Sequence, residues 1–257
     1  MTKASRTAIV TGGLSGMGLA IARRLIRDGV DVSIGARRGG DADTVRSILD
    51  PQGLSAHVAA LDVRSSASVN GFVEEVVARR GGVDILINTA GVYSEAAVID
   101  HPDDVWDDQI DTNLSGTFRM IRAVMPHMKA AGFGRIVNLA SVAAHHAWPT
   151  NAAYCASKAG LLGLGRCVSL EGAAHGVTCV SISPTWVETE MLRSFIDADI
   201  AASGKSREEV RADYAASNPQ HQLVQPEEIA DLAAFLVSDA GRAITMEDVQ
   251  VNAGSLW

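Results

Sequence analysis

The sequence predicts an α/β protein: a doubly wound parallel sheet of seven strands with helices on both faces, a Rossmann fold. Three observations carry that prediction. Seven short apolar runs rich in β-branched residues recur along the 257 residues, amphipathic stretches separate them, and a glycine-rich turn stands between the first run and the first helix. Runs that are apolar throughout suit strands buried on both faces.

The first run, Thr7 to Val10, leads into TGGLSGMG, Thr11 to Gly18. The helix that follows carries Leu19, Ala20, Ala22, Leu25 and Ile26 at apolar spacing. The second run, Val30 to Ile34, ends in Gly35-Ala36-Arg37-Arg38, and the third, Ala56 to Leu61, ends in Asp62-Val63. Val69, Phe72, Val73, Val76 and Val77 then share a helical face, with Gly81 and Gly82 as stops. The fourth run is Val83 to Ile87, the fifth Arg135 to Leu139, the sixth Val177 to Ile182 and the seventh Val249 to Val251. One irregular stretch remains, Glu190 to Gln225, polar and mixed in charge. Lying after the sixth strand, it is placed to cover a ligand crevice. No linker or low-complexity tract divides the chain, so residues 1–257 read as one dinucleotide-binding and catalytic domain, with 190–225 as an excursion within it.

A formal charge of -8 excludes duplex nucleic acid, whose binding needs a basic face to replace counterions. No apolar run is long enough to span a bilayer, and MTKASRTAIVTGG lacks the features of a signal peptide, so a cytoplasmic location is expected. Cys155, Cys167 and Cys179 are odd in number and share no CxxC spacing, which argues against a disulfide framework and against a metal site. They read as small core residues in a reducing compartment.

The glycines acquire meaning from their context. Gly12 permits a tight turn, Gly16 lets the backbone approach a pyrophosphate, and Gly18 lets helix and strand pack closely. Leu14, Ser15 and Met17 complete the turn, and the helix N-terminus offers free N–H groups to an anion. At the tip of the second strand an NAD-selecting fold usually has a carboxylate for the ribose hydroxyls; here Arg37 and Arg38 can pair with a 2′-phosphate, and no carboxylate follows until Asp41. NADP(H) is therefore favoured, with NAD(H) as the alternative cofactor.

Tyr154 and Lys158 stand four apart in NAAYCASKAG, on one face of a helix with Asn151 as its expected cap. An ammonium beside a phenol favours the phenolate, and with the positive nicotinamide ring it is expected to bring an intrinsic pKa of about 10 toward neutrality. Ser141, at the end of the fifth strand, can hydrogen-bond a substrate oxygen.

With these residues in place, the sequence resembles the short-chain dehydrogenase/reductase family along nearly its whole length. TGGLSGMG is similar to that family's TGxxxGxG, Leu61-Asp62-Val63 to its adenine-contacting segment, and Asn88-Thr89-Ala90-Gly91 to its NNAG, with Thr for the second Asn. Asn113, Ser141, Tyr154 and Lys158 match its catalytic tetrad in order and spacing. The resemblance implies that Asn113 kinks its helix and holds a water linking Lys158 to a proton relay, and that Lys158 also binds the nicotinamide ribose. Pro184 to Thr189 resembles the PGxxxT segment that packs on the nicotinamide, which would engage Pro184, Thr185, Val187 and Thr189. Thr185 departs from the usual Gly and would put a side chain near the substrate side of the ring. Met246-Glu247 and Ser255 also depart from the family pattern, in a segment that often forms subunit contacts. A homotetramer is what the resemblance implies.

The chemistry so implied is hydride transfer between NADP(H) and a carbonyl or secondary alcohol, with the substrate oxygen between Ser141 and Tyr154 and with Tyr154 as general acid/base. Tyr93, His145, His146, Trp148, Trp186 and Met191 are the candidate substrate residues, giving a pocket with aromatic walls, and Phe195 and Ile196 could close over it. Trp106 and Trp257 read as packing or subunit contacts. Two rival functions remain. A non-catalytic dinucleotide-sensing protein would need only the glycine turn, and a nucleotide-sugar epimerase or dehydratase would need a larger C-terminal domain.

Overall fold

A computed structural model describes residues 5–37, 39, 42–49 and 53–255. Seven strands form one sheet: β1 (Thr7–Thr11), β2 (Asp31–Ala36), β3 (His57–Ala60), β4 (Ile85–Asn88), β5 (Gly134–Leu139), β6 (Val177–Pro184) and β7 (Asp248–Val251). Every neighbouring pair is parallel, in the order β3-β2-β1-β4-β5-β6-β7. All seven predicted runs are strands. Several extend beyond their apolar residues, because a ladder continues wherever backbone groups can pair: Thr11 stands opposite both Gly35 and Asn88.

The helices among the described residues are α1 (Gly16–Arg27), α2 (Ala42–Leu49), α3 (Ser66–Arg80), α4 (Asp103–Ile110), α5 (Gly116–Ala131), α6 (Ala152–Gly172), α7 (Glu190–Ser203), α8 (Arg207–Ala216) and α9 (Pro226–Val237). The pleat sorts each strand between two cores. Ala8 and Val10 point to one, with Ile21, Ala22 and Leu25 of α1 and Ile229, Ala230 and Ala233 of α9. Ile9 points to the other, with Val69, Phe72, Val73 and Val76 of α3 and Met120, Ile121, Val124 and Met128 of α5. The helical face read for α3 is thus buried, and Gly81 ends that helix with φ of 77°.

The stretch 190–225, read as irregular, is largely helical. α7 and α8 form a small core of their own from Leu192, Ile196, Val210 and Leu223. A capping box of Ser206 and Glu209 starts α8. That signal was present in SREE, but the surrounding polarity obscured it.

Candidate active site

The order of the sheet reverses between β1 and β4, and a crevice opens there at the carboxyl ends of the strands. It is a cleft of about 290 Å³, lined by Gly12, Leu14, Ser15, Gly16, Met17 and Gly18 after β1, and by Arg37 after β2. Asp62 and Val63 line it after β3, Ala90 and Gly91 after β4, and Thr189 and Met191 at the start of α7. A β-carbon on Gly18 would collide with Thr89 Oγ1 and fall 2.7 Å from the carbonyl oxygen of Gly12, so only glycine lets α1 approach the end of β4 this closely. Gly16 has φ of 50°. α1 carries no acidic residue in its first turn and Ser15 makes no side-chain cap, which leaves its N-terminal N–H groups for an anion.

This lining suits a dinucleotide. The glycine turn faces the crevice where a pyrophosphate would lie, Arg37 stands where a 2′-phosphate would lie, and Thr112, whose Oγ1 is buried without a hydrogen-bond partner, lines the same cleft. Arg38 and Asp41 lie outside the described residues, as does Trp257. Thr112, Arg64 and Glu190 line the cleft without having been anticipated. Arg64 bridges Asp62 and Asp108 and holds the Asp62 carboxyl below its usual range, a pairing across 44 residues that no local spacing announces.

Beyond the cleft, α6 carries Tyr154 and Lys158 on one face, and Ser141 caps the short helical turn Val142–Ala144 after β5. Ser141 Oγ accepts from Ala143 N at 3.1 Å and lies close enough to the Tyr154 phenol to act on its pKa. Lys158 Nζ donates to the Leu139 carbonyl oxygen at 2.7 Å and stands 5.6 Å from the centre of the Tyr154 ring. Burial pushes the Tyr154 phenol up to about 12, with Ser141 opposing it, and burial pushes Lys158 down to about 8. The expected descent of the phenol toward neutrality is therefore not produced by this chain's own groups. Desolvation outweighs them, because the ammonium is drawn to Leu139.

Asn113 sits in a π-helical turn, Asp111–Ser115, between α4 and α5, at the position where the resemblance implies a kink. Its side chain clamps the next loop: Oδ1 accepts from Val92 N at 2.8 Å, while Nδ2 donates to Val92 O at 2.9 Å and to Ser157 Oγ at 3.1 Å. With both ends of the amide so engaged, Asn113 positions the loop that follows Gly91.

Some expected contacts go elsewhere. Asn88 donates to Asn138, and Thr185 Oγ1 donates to Asn218 at 2.9 Å, away from the crevice. Pro184 closes β6 and Val187 is buried in a bridge to Val224, so neither lines the cleft. Asn151 begins α6 without a side-chain cap; its Nδ2 donates to Pro149 O instead. His145 turns to β7, with Nε2 2.6 Å from Asp248 Oδ2, in a separate cavity of about 250 Å³. His146 and Trp148 pack edge-on at 4.8 Å and are exposed. Tyr93 does meet Tyr154, edge-on at 5.0 Å, and Phe195 and Trp186 continue the aromatic wall. Ile196 instead faces the small core under α7 and α8.

Residues 12–255 match the family described as enoyl-(acyl carrier protein) reductase. The chain belongs to the short-chain dehydrogenase/reductase family. A Streptomyces virginiae protein assigned as the ketoacyl reductase of the monensin polyketide synthase is 39% identical over 252 residues, 97% of each chain. The D-beta-hydroxybutyrate dehydrogenase of Rhizobium meliloti is 35% identical, over 97% of this chain and 98% of its own. Among solved members of the family, a single-site variant of actinorhodin polyketide ketoreductase with NADPH superimposes with a TM-score of 0.91 at 36% identity, covering 99% of this chain and 98% of that one.

Proposed function

We propose that this chain is an NADP(H)-dependent oxidoreductase that interconverts a carbonyl compound and a secondary alcohol, with Tyr154 as general acid/base. The observation that carries this reading is the meeting of Tyr154 with Ser141 and Lys158, whose Nζ comes within 3.8 Å of where a β-carbon on Gly91, in the lining of the cleft built on the glycine turn, would stand. The relatives that are named ketoacyl reductases and hydroxybutyrate dehydrogenases, and the NADPH complex of the structural neighbour, support it.

Bound in the cleft, NADP(H) would supply or take up the hydride. The glycine turn and the start of α1 would hold its pyrophosphate, Arg37 and Arg38 the 2′-phosphate, Asp62 and Val63 the adenine end, and Thr189 the nicotinamide end. Ser141 would fix the substrate oxygen by hydrogen bonding while Tyr154 passes a proton to it, or takes one in the alcohol-to-ketone direction. Lys158, held by Leu139 O, would keep positive charge beside the phenol ring, and a cationic ring next to the phenol would oppose the desolvation that raises its pKa.

We further read residues 1–257 as one catalytic domain in which 190–225 covers the substrate. Exposed Trp106, Phe118, Leu170 and Phe235 suit burial in a homotetramer. The three free cysteines suit a cytoplasmic setting, and among the described residues no helix is long and apolar enough to cross a membrane.

The test is NADPH consumption against a panel of carbonyl compounds by the wild type and by Tyr154→Phe. The variant should lose a factor of about a hundred to ten thousand in turnover while still binding NADPH. Full turnover by the variant would refute the acid/base role, and silence of the wild type despite tight cofactor binding would favour a dinucleotide sensor.

A further inference from the structure

Five aromatic rings run edge-on in series from the reacting hydroxyl toward the excursion: Tyr154, Tyr93, Phe195, Trp186 and Tyr214. Their successive centroids are 5.0, 4.9, 6.1 and 4.9 Å apart. The two tyrosines beyond Tyr154 each end on a carboxylate. Tyr93 donates to Glu95 Oε1 at 2.5 Å, and Tyr214 donates to Asp199 Oδ2 at 2.7 Å. Thr150 Oγ1 also donates to Glu95, at 3.4 Å. Among the described residues neither carboxylate forms a salt bridge.

The cations of the region are engaged elsewhere. Lys205 pairs with Asp213, Arg207 with Asp197, Arg211 with Glu188, and Lys158 is held by Leu139 O. Arg193 acts on Glu188. Burial raises the pKa of both tyrosines and their carboxylate partners raise it further, so each phenol remains a neutral donor to its carboxylate.

We propose that this acidic, aromatic wall admits carbonyl substrates whose neighbouring group is uncharged, such as an ester, a thioester or a ring ketone, in preference to free keto acids, and that Glu95 determines the preference. This rests on the oxidoreductase reading above. A substrate carboxylate about 10 Å from Glu95 meets a like charge whose Coulomb cost, at an effective dielectric constant between about 20 and about 80, lowers its occupancy about twofold to about fifteenfold. Among the described residues no arginine stacks on Tyr93, Phe195, Trp186 or Tyr214, and the one ammonium beside the wall, Lys158 at 5.6 Å from the Tyr154 ring, is turned to Leu139 O.

The test compares ethyl 3-oxobutanoate with the 3-oxobutanoate anion, as kcat/KM with NADPH, in the wild type, Glu95→Gln and Glu95→Lys. Quenching of tryptophan fluorescence by each compound reads binding without turnover. The wild type should favour the ester, Glu95→Gln should narrow the ratio about twofold to about fifteenfold, and Glu95→Lys should narrow it further, mostly through KM and binding of the anion. An anion used as well as the ester by the wild type, or a ratio unmoved by both variants, would overturn the proposal. If neither compound nor cyclohexanone drives NADPH consumption, the oxidoreductase reading fails and the proposal falls with it.

Discussion

Lys158 donates to the Leu139 carbonyl oxygen at 2.7 Å, so α6 is tied through a buried ammonium to the end of β5, the strand that leads into Ser141. The tie places a charge where water cannot solvate it, and burial depresses its pKa from 10.5 to about 8. The folded chain then releases this proton before the unfolded chain does. Between about pH 8 and pH 10.5 the unfolded state binds more protons, and stability rises with pH by an amount on the order of 3 kcal/mol across the window. Tyr154 acts oppositely. Its raised value of about 12 means that the unfolded chain ionises first, above about pH 10, and stability falls there. Thermal melts should therefore show Tm climbing from pH 8 toward 10 and then dropping, and Lys158→Met should flatten the climb. A wild-type Tm that falls steadily over that climb would contradict the burial of a titrating ammonium.

Gly18→Ala puts a methyl group 2.7 Å from the Gly12 carbonyl oxygen, a backbone atom that cannot swing aside. It should cost about 1–3 kcal/mol of stability and weaken NADPH binding, since the turn and α1 must part. Gly71→Ala on α3, where an added methyl meets nothing within 4 Å, should leave binding alone and stabilise by up to about 1 kcal/mol. Equal melting temperatures for the two variants would argue against the close approach at Gly18.

Arg37 is exposed at the tip of β2 and lines the cleft. Losing a charged hydrogen bond worth about 1.5–3 kcal/mol should raise the Kd for NADPH by about tenfold or more in Arg37→Ala, and hardly move the Kd for NADH. Calorimetric titration with both nucleotides decides this; a parallel loss for both would assign Arg37 a purely structural part.

Glu190 Oε2 lies 3.7 Å from where a β-carbon on Gly16 would stand, so a carboxylate hangs over the turn proposed to hold a pyrophosphate. Glu190→Gln should tighten NADP(H) binding several-fold at low ionic strength, by about 1 kcal/mol or less, with the gain fading as salt is added. Weaker binding in that variant would show that Glu190 assists the cofactor.

The placement of Tyr154, Lys158 and the glycine turn was legible because short-range rules govern it. The spacing of four on α6 places Tyr154 and Lys158 on one face in any helix, and strand, glycine turn and helix in succession make a phosphate cradle wherever they occur. Polarity alone misread 190–225, since α7 and α8 bury their few apolar side chains against each other and leave the rest to solvent. Thr185 and His145 are near the crevice in sequence, but partners 33 and 103 residues away, Asn218 and Asp248, decide where they point.

The sequence by itself determined the order of the seven strands, the glycine turn and the helical face that Tyr154 shares with Lys158, because periodicity and backbone sterics act within a few residues. Only the tertiary structure decided the electrostatics: that Lys158 leans on Leu139, that desolvation raises the phenol, that Glu190 overhangs the turn and that Glu95 caps the aromatic wall. Burial and charge proximity depend on which distant segments pack together, and no local pattern encodes that distance.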